Sequence, residues 1–194
     1  MDLHQFLRSR RSIRRFKPDP IPDAMLERIL TTATFAPSAH NRQPWRFVII
    51  KNADVRPRLA KALTDKMRLD MQTEGAAQAE IEKRVASSIR RIDEAPVIII
   101  LCRDVTDVRI HTPEENIMNI QSTTLAGLQL LLAAHAEGLG GNWICWPLYA
   151  AHETQQVLGL SESWEPQGMF IIGYANEVVK EKTLKPISEL VRNI

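Results

Sequence analysis

Residues 114–137 read "EENIMNIQSTTLAGLQLLLAAHAE". Ile117, Ile120, Thr124, Leu128, Leu131 and His135 fall on one side of a helical projection, yet much of the other side is apolar too. The spacing predicts a long helix from about Glu114 to Glu137, closed by Gly138 or Gly140. A helix that is apolar nearly all round is a buried helix. In a chain of 194 residues the natural cover for its second face is another subunit, so this stretch predicts a homodimer built around a central helix.

Working outward, "APVIIILC" (95–102) reads as a central strand with apolar residues on both faces, and "GMFIIGYA" (168–175) as another. "RFVIIK" (46–51) and "NWICW" (142–146) complete the set of strands. "LHQFL" (3–7) spaces Leu3, Phe6 and Leu7 for a short helix. "KPDPIP" (17–22) forbids regular structure. Asp23 is expected to cap a helix that runs through Leu26, Ile29, Leu30 and Ala33 and stops before Pro37. "APSAHNRQPW" (36–45) is a loop by composition. A helix bearing Leu59, Leu63 and Met67 follows, and "HETQQVLGL" (152–160) is a short one. Residues 70–94 are polar and at best weakly amphipathic, which suggests a mobile helical excursion over about 68–95 rather than a second domain. Helices and strands mix without a strict βαβ rhythm, so the expected fold class is α+β, one domain spanning 1–194.

Apolar and charged contents of 44% and 25% are ordinary for a globular chain. The net charge is only +2, which speaks against a general nucleic-acid binder. No apolar leader opens the chain, and "LAGLQLLLAAHAEG" (125–138) is too short for a membrane span. A cytoplasmic protein without nucleic-acid or membrane partners is expected. Cys102 and Cys145 lie in apolar stretches and read as reduced and buried. The five histidines are scattered, so no metal site is expected, and His135 reads as a satisfied core or interface residue. "GLGGNW" (138–143) follows a helix and precedes a strand, the reverse of a dinucleotide-binding turn, and reads as a helix C-cap.

Charge is concentrated in "RSRRSIRRF" (8–16), with five arginines in nine positions. Such a stretch could grip nucleic acid, form a solvated face, or cradle one small anionic group. Read with "APSAHNRQPWRFVI" (36–49) and with the long helix running into "GLGGNWICWPL" (138–148), it resembles the nitroreductase family of FMN-dependent oxidoreductases. The resemblance spans Asp2 to about Val191. Within the family, residues 138–177 look most like the flavin domain attached to some coenzyme F420 glutamate ligases, and like its stand-alone relatives.

The resemblance implies an α/β sandwich that forms an intertwined homodimer, with FMN at the subunit interface. It implies that Arg10, Arg11 and Ser12 hold the ribityl phosphate and chain. Arg14 would reach the N1–C2=O edge of the ring. Pro37, Ser38, Ala39 and Asn41 would be laid against the flavin by the partner, with Gln43 and Trp45 bracing their loop. Pro147 and Leu148 match the place where a backbone N–H approaches N5. In "KEKTLKP" (180–186), Lys182 and Lys185 stand where the family often puts a basic residue on the phosphate. No side chain is nominated as catalytic. The implied function is a ping-pong oxidoreductase in which NADH or NADPH reduces FMN and a nitroaromatic, quinone, activated alkene or F420 precursor is reduced in turn. A flavin-binding carrier or sensor is the alternative. The acceptor pocket is expected from residues 65–95 with Trp143, Trp146 and Tyr149, and His40 and Arg42 are candidates to face an anionic acceptor.

Overall fold

The computed structural model describes residues 2–179 and 181–194. Its centre is a four-stranded antiparallel sheet of β1 (Trp45–Ile50), β2 (Val97–Asp104), β3 (Gly140–Ile144) and β4 (Trp164–Gly173), in the order β1-β2-β4-β3. Helices cover both faces. Because side chains alternate along a strand, Ile99, Leu101, Phe170 and Ile172 pack against α2 (Asp23–Ala33) and α5 (Pro113–Ala136). Ile98, Ile100, Cys102, Met169 and Ile171 pack against α3 (Val55–Thr73), α4 (Gln78–Asp93) and α7 (Ala151–Leu158). The unbroken apolar runs of β2 and β4 thus come from burial on both faces. The arrangement is an α/β sandwich of α+β class, as expected.

α5 is the long helix. Its N-cap is Thr112, whose hydroxyl accepts from the Glu115 N–H, and Pro113 opens it. It closes in a Schellman motif. Gly138 takes φ +78°, its N–H donates to His135 O, and the Leu139 N–H donates to Ala134 O. The inner face carries Ala126, Gly127, Leu130, Ala133 and Ala134. The small residues let α5 lie close to the sheet: a Cβ at Gly127 would stand 2.5 Å from the Trp143 ring and 2.9 Å from Phe170. The outer face leaves Ile117 53%, Ile120 39%, Leu125 41% and Leu128 47% exposed. The stripe read from the sequence is therefore the outward one, except at its end, where Leu131 is buried. By length and composition α5 also meets what a membrane span requires, contrary to the sequence expectation; half of its most apolar window is buried inside the fold.

Two local expectations are corrected. The N-cap of α2 is Pro22, and the Asp23 carboxylate turns instead to Lys51 at 2.9 Å. Residues 78–93 form a distinctly amphipathic helix. Ile81, Val85, Ser88 and Ile92 are buried, and α4 packs along α3. The final residues hold only a short turn of helix, α8 (Ile187–Leu190), with no buried residue.

The arginine stretch follows α1 (Leu3–Ser9) and becomes an extra edge of the sheet. Ser12 bridges Gly141 and Phe16 bridges Ala175. The Ile13 N–H donates to Gly141 O at 3.1 Å, and the Lys17 N–H to Tyr174 O at 2.9 Å. Ile13 is buried and sits where a Cβ on Gly140 would come within 2.6 Å of it. A glycine at 140 is what lets the basic segment come this close.

Candidate cofactor site

Threading along the edge of β3 presents the arginines to two cavities. Arg14 lines the larger, about 660 Å³, and Arg10 and Arg11 line a second of about 220 Å³. One extended segment therefore carries positive charge to both. The Arg14 backbone is fixed by Glu177, whose carboxylate accepts from its N–H and from the Arg15 N–H. Among the described residues the Arg14 guanidinium makes only a long contact, 3.4 Å, to Ser12 O. Arg10 has no hydrogen-bond or ion-pair partner among the described residues. Arg11 donates to the carbonyls of Arg8 and Arg10, while its Nε is buried without a partner. The buried unpartnered Nε of Arg11 and the free guanidinium of Arg10 fit an anionic ligand, since such groups cost free energy until an acceptor arrives. Arg15 is spoken for, paired with Glu94 at 2.7 Å on the surface. Ser12 is exposed.

The wall of the smaller cavity is completed by Gly138–Gly141, by His135 and by Val179. His135 bonds to Ser9 at 2.8 Å and stacks on Phe6 with centroids 5.0 Å apart, so it is a satisfied histidine. Burial, and then the charge of Arg10, hold its imidazole below the ordinary range. Lys182 and Lys185 are exposed and line neither cavity, so the chain reaches the smaller one through Val179 rather than through either lysine.

The larger cavity lies between α3, α4 and the segment 142–150. Its lining includes Met67, Asp70, Arg91, Trp143, Trp146 and Tyr149, which agrees with the pocket expected from residues 65–95 and these aromatics. Trp143 is held edge-on to Phe170 at 4.9 Å and serves both core and cavity. Cys145 is exposed on the same wall, contrary to expectation. Cys102 is buried as expected, and burial, followed by Glu165, pushes its thiol up to about 12. Pro147 and Leu148 do not offer a free donor. Proline has no N–H, and the Leu148 N–H donates to Cys145 O at 2.9 Å at the start of α6 (Trp146–Tyr149).

The loop of Pro37, Ser38, Ala39 and Asn41 lies elsewhere. The Ala39 N–H donates to the Ser122 hydroxyl on α5 at 3.1 Å, and Ser38 Oγ accepts from the Gln43 N–H at 3.0 Å. His40, Asn41 and Gln43 all have positive φ, 53–54°. Such conformations cost roughly 1–3 kcal/mol each and concentrate where a backbone must present itself to a ligand. Gln43 braces the loop as expected, and Trp45 is buried beneath it. Ala39 and Arg42 line only a small cleft beside Asp107 and Glu115. Arg42 shares that cleft with Asp107 and Glu115, and neither it nor His40 lines the larger cavity.

Sequence reasoning missed Arg91, Asn142 and Glu177. Asn142 is 6% exposed on the larger cavity's wall, within β3. Nothing in the local pattern marks Arg91, which has no hydrogen bond or ion pair among the described residues, or Glu177, whose contacts are with residues far away in sequence.

An edge of arginines on a four-stranded antiparallel sheet, beside a long helix with an uncovered apolar face, defines a class that comparison with known proteins names. The Nitroreductase family profile matches residues 7–174, and the chain belongs to that family. A Bacillus subtilis protein bearing the name NAD(P)H nitroreductase YfhC is 26% identical over 191 residues, covering 96% of this chain and 91% of its own. The crystal structure of a BluB-like flavoprotein from Clostridium difficile 630 superposes with a TM-score of 0.82 at 25% identity, covering 100% of this chain and 99% of that one. That of a nitroreductase from Desulfovibrio desulfuricans in complex with FMN gives 0.77 at 25% identity, covering 100% and 97%.

Proposed function

We propose that this protein is an FMN-dependent oxidoreductase. It works by a ping-pong cycle with NADH or NADPH as donor and a nitroaromatic, quinone, activated alkene or F420 precursor as acceptor. The observation that carries the reading is the bridged segment 12–16. It brings Arg14 to the larger cavity, directly after Arg10 and Arg11 have lined the smaller one, within a nitroreductase-family frame. FMN, when bound, supplies two-electron chemistry between the two substrates.

The chain's own part is to bind and to bias. Arg10 and Arg11 meet the phosphate, where forked donors suit its oxygens. Arg14 stands beside the ring edge and favours the reduced form, in which negative charge builds there. Trp146 and Tyr149 wall the acceptor's space. The strained loop 37–41 completes the site on the partner subunit. The homodimer is supported by the exposed stripe of α5 and by the uncovered apolar side chains of the C-terminal tail, among them Ile187, Leu190 and Val191. Similarity of residues 138–177 to the flavin domain of F420 glutamate ligases supports a stand-alone relative of that branch. Two free thiols suit the cytoplasm.

The test is the absorbance spectrum of the purified protein under anaerobic conditions, before and after each nicotinamide. The expected result is a flavin spectrum that bleaches with donor and returns with a quinone. A colourless protein that takes up no FMN would overturn the assignment. A bound flavin inert to every donor would make the protein a carrier or sensor instead.

A further inference from the structure

Two guanidinium groups face the larger cavity with no carboxylate closed on them. One, Arg14, belongs to the flavin ring in the reading above. The other is Arg91, near the end of α4, which has no hydrogen bond or ion pair among the described residues. Its neighbours on the wall are already matched: Lys66 pairs with Asp70, and Arg84 with Glu80 at 3.5 Å. Glu74 is the one acid of this wall left over, and it is exposed at the end of α3. Glu177 also acts on Arg91, but its carboxylate already receives the N–H groups of Arg14 and Arg15. The cavity therefore carries a surplus of positive charge at Arg91.

The surplus has an energetic consequence. Arg91 is partly buried, and burial, then Arg14, Arg90 and Arg15, hold its guanidinium below the ordinary arginine range. A cation in that setting gains more from an incoming anion than an exposed one does, because the anion relieves both the repulsion and the lost hydration. Ser87, one helical turn earlier, lines the same cavity and adds a hydroxyl donor. The rings of Trp146 and Tyr149 line the same cavity. A flat body against the rings and an acidic group on Arg91 fit the space together.

We propose that Arg91, with Ser87 beside it, binds an acidic group of the acceptor, so that the enzyme selects planar acceptors bearing a carboxylate or phosphate. This rests on the cavity being the acceptor's place beside the flavin.

The test uses FMN-loaded full-length protein and a pair of unreactive probes that differ by one charge, benzoate and benzamide. Their binding is read from the perturbed flavin absorbance and from tryptophan fluorescence. Benzoate is expected to bind about tenfold or more tighter than benzamide, the size of one charge-assisted hydrogen bond. Arg91→Gln should erase that preference, and Arg91→Lys should keep part of it. In turnover, the preference for para-nitrobenzoate over para-nitrobenzamide in kcat/KM should fall by a similar factor in Arg91→Gln, while the ratio of NADPH to NADH use stays as it was.

Equal affinities of the parent protein for benzoate and benzamide would overturn the proposal. So would a preference that survives Arg91→Gln. A change confined to NADPH would assign the charge to the donor's phosphate, and loss of FMN from Arg91→Gln would assign it to the cofactor; either overturns it as well. Failure of the oxidoreductase reading shows separately, as a flavin that no nicotinamide bleaches.

Discussion

The hydroxyl oxygen of Ser9 lies 2.8 Å from Nε2 of His135, 126 positions further along the chain. The bond pins the end of α1 to the last turn of α5, and the Phe6 ring lies on the imidazole from the next turn. Arg10 follows Ser9 directly, so the position of a phosphate-binding candidate is set by a histidine on the proposed dimer helix.

That contact predicts an acid-sensitive stability. The fold prefers the neutral imidazole, because burial and Arg10 hold His135 below its ordinary value of 6.5. Above that value both folded and unfolded chains are neutral at this site, and it adds no pH dependence. As pH falls below it the unfolded chain takes up the proton first, and stability declines until the folded ring is protonated too. The melting temperature should drop as the pH is lowered below 6.5, and the profile of His135→Gln should be flatter. Asp104 acts in a separate, lower window. Burial opposes its ionisation, but the Thr106 hydroxyl and N–H, with Arg46, outweigh burial and hold it below 3.8.

Gly168 and Gly127 hold Trp143 from two sides. A Cβ at 168 would stand 2.3 Å from its Nε1, and one at 127 would stand 2.5 Å from its ring. Gly168→Ala should cost roughly 1–3 kcal/mol by chemical denaturation, the usual range for overpacking, and should shift the tryptophan emission. A ring held from both sides can move away from one added methyl but not from two, so Gly127→Ala combined with Gly168→Ala should lose more than the sum of the two. Strict additivity would show that Trp143 is not the shared obstacle.

Leu128 is 47% exposed on the outer face of α5. Leu128→Glu places a charge where the second subunit is proposed to lie. It should leave the helical circular-dichroism signal intact, convert the sedimenting species to a monomer, and release FMN. A monomer that retains FMN would remove the interface from the site.

Arg10 and Arg14 should differ in kind. Arg10→Ala should weaken oxidised and reduced FMN alike, by roughly 1.5–3 kcal/mol, because a phosphate keeps its charge in both states. Arg14→Ala should weaken the reduced form more and so lower the midpoint potential. Redox titration beside the parent protein checks this, and equal midpoints in all three would remove the ring role of Arg14.

Much of this was legible in the chain itself, and the exceptions share a cause. β2 announced itself because Ile98 to Cys102 are all fully buried, so its apolar run is unbroken. α5 announced its two faces because both are apolar. α4 did not, since its buried face needs only Ile81, Val85, Ser88 and Ile92, four residues diluted by alanines and charges. Asp23 looked like a cap, but the fold offers it Lys51, 28 positions away. The Leu148 N–H looked available, but a turn closes it on Cys145. Arg10 and Arg14 were visible through a motif, whereas Arg91 matters through what does not surround it, and the absence of a partner leaves no trace in local sequence.

The bridges of Ser12 to Gly141 and of Phe16 to Ala175 also set an order of events in biosynthesis. The arginine segment leaves the ribosome well before the edge it docks on. The clamp on Arg14 comes from Glu177, 163 residues later. Contacts this distant in sequence form late and slow the search for the native state. A nascent chain of this protein therefore carries an undocked cationic peptide until residues 141, 175 and 177 have been made. The proposed cofactor cradle can form only after the strands it is bridged to have been made.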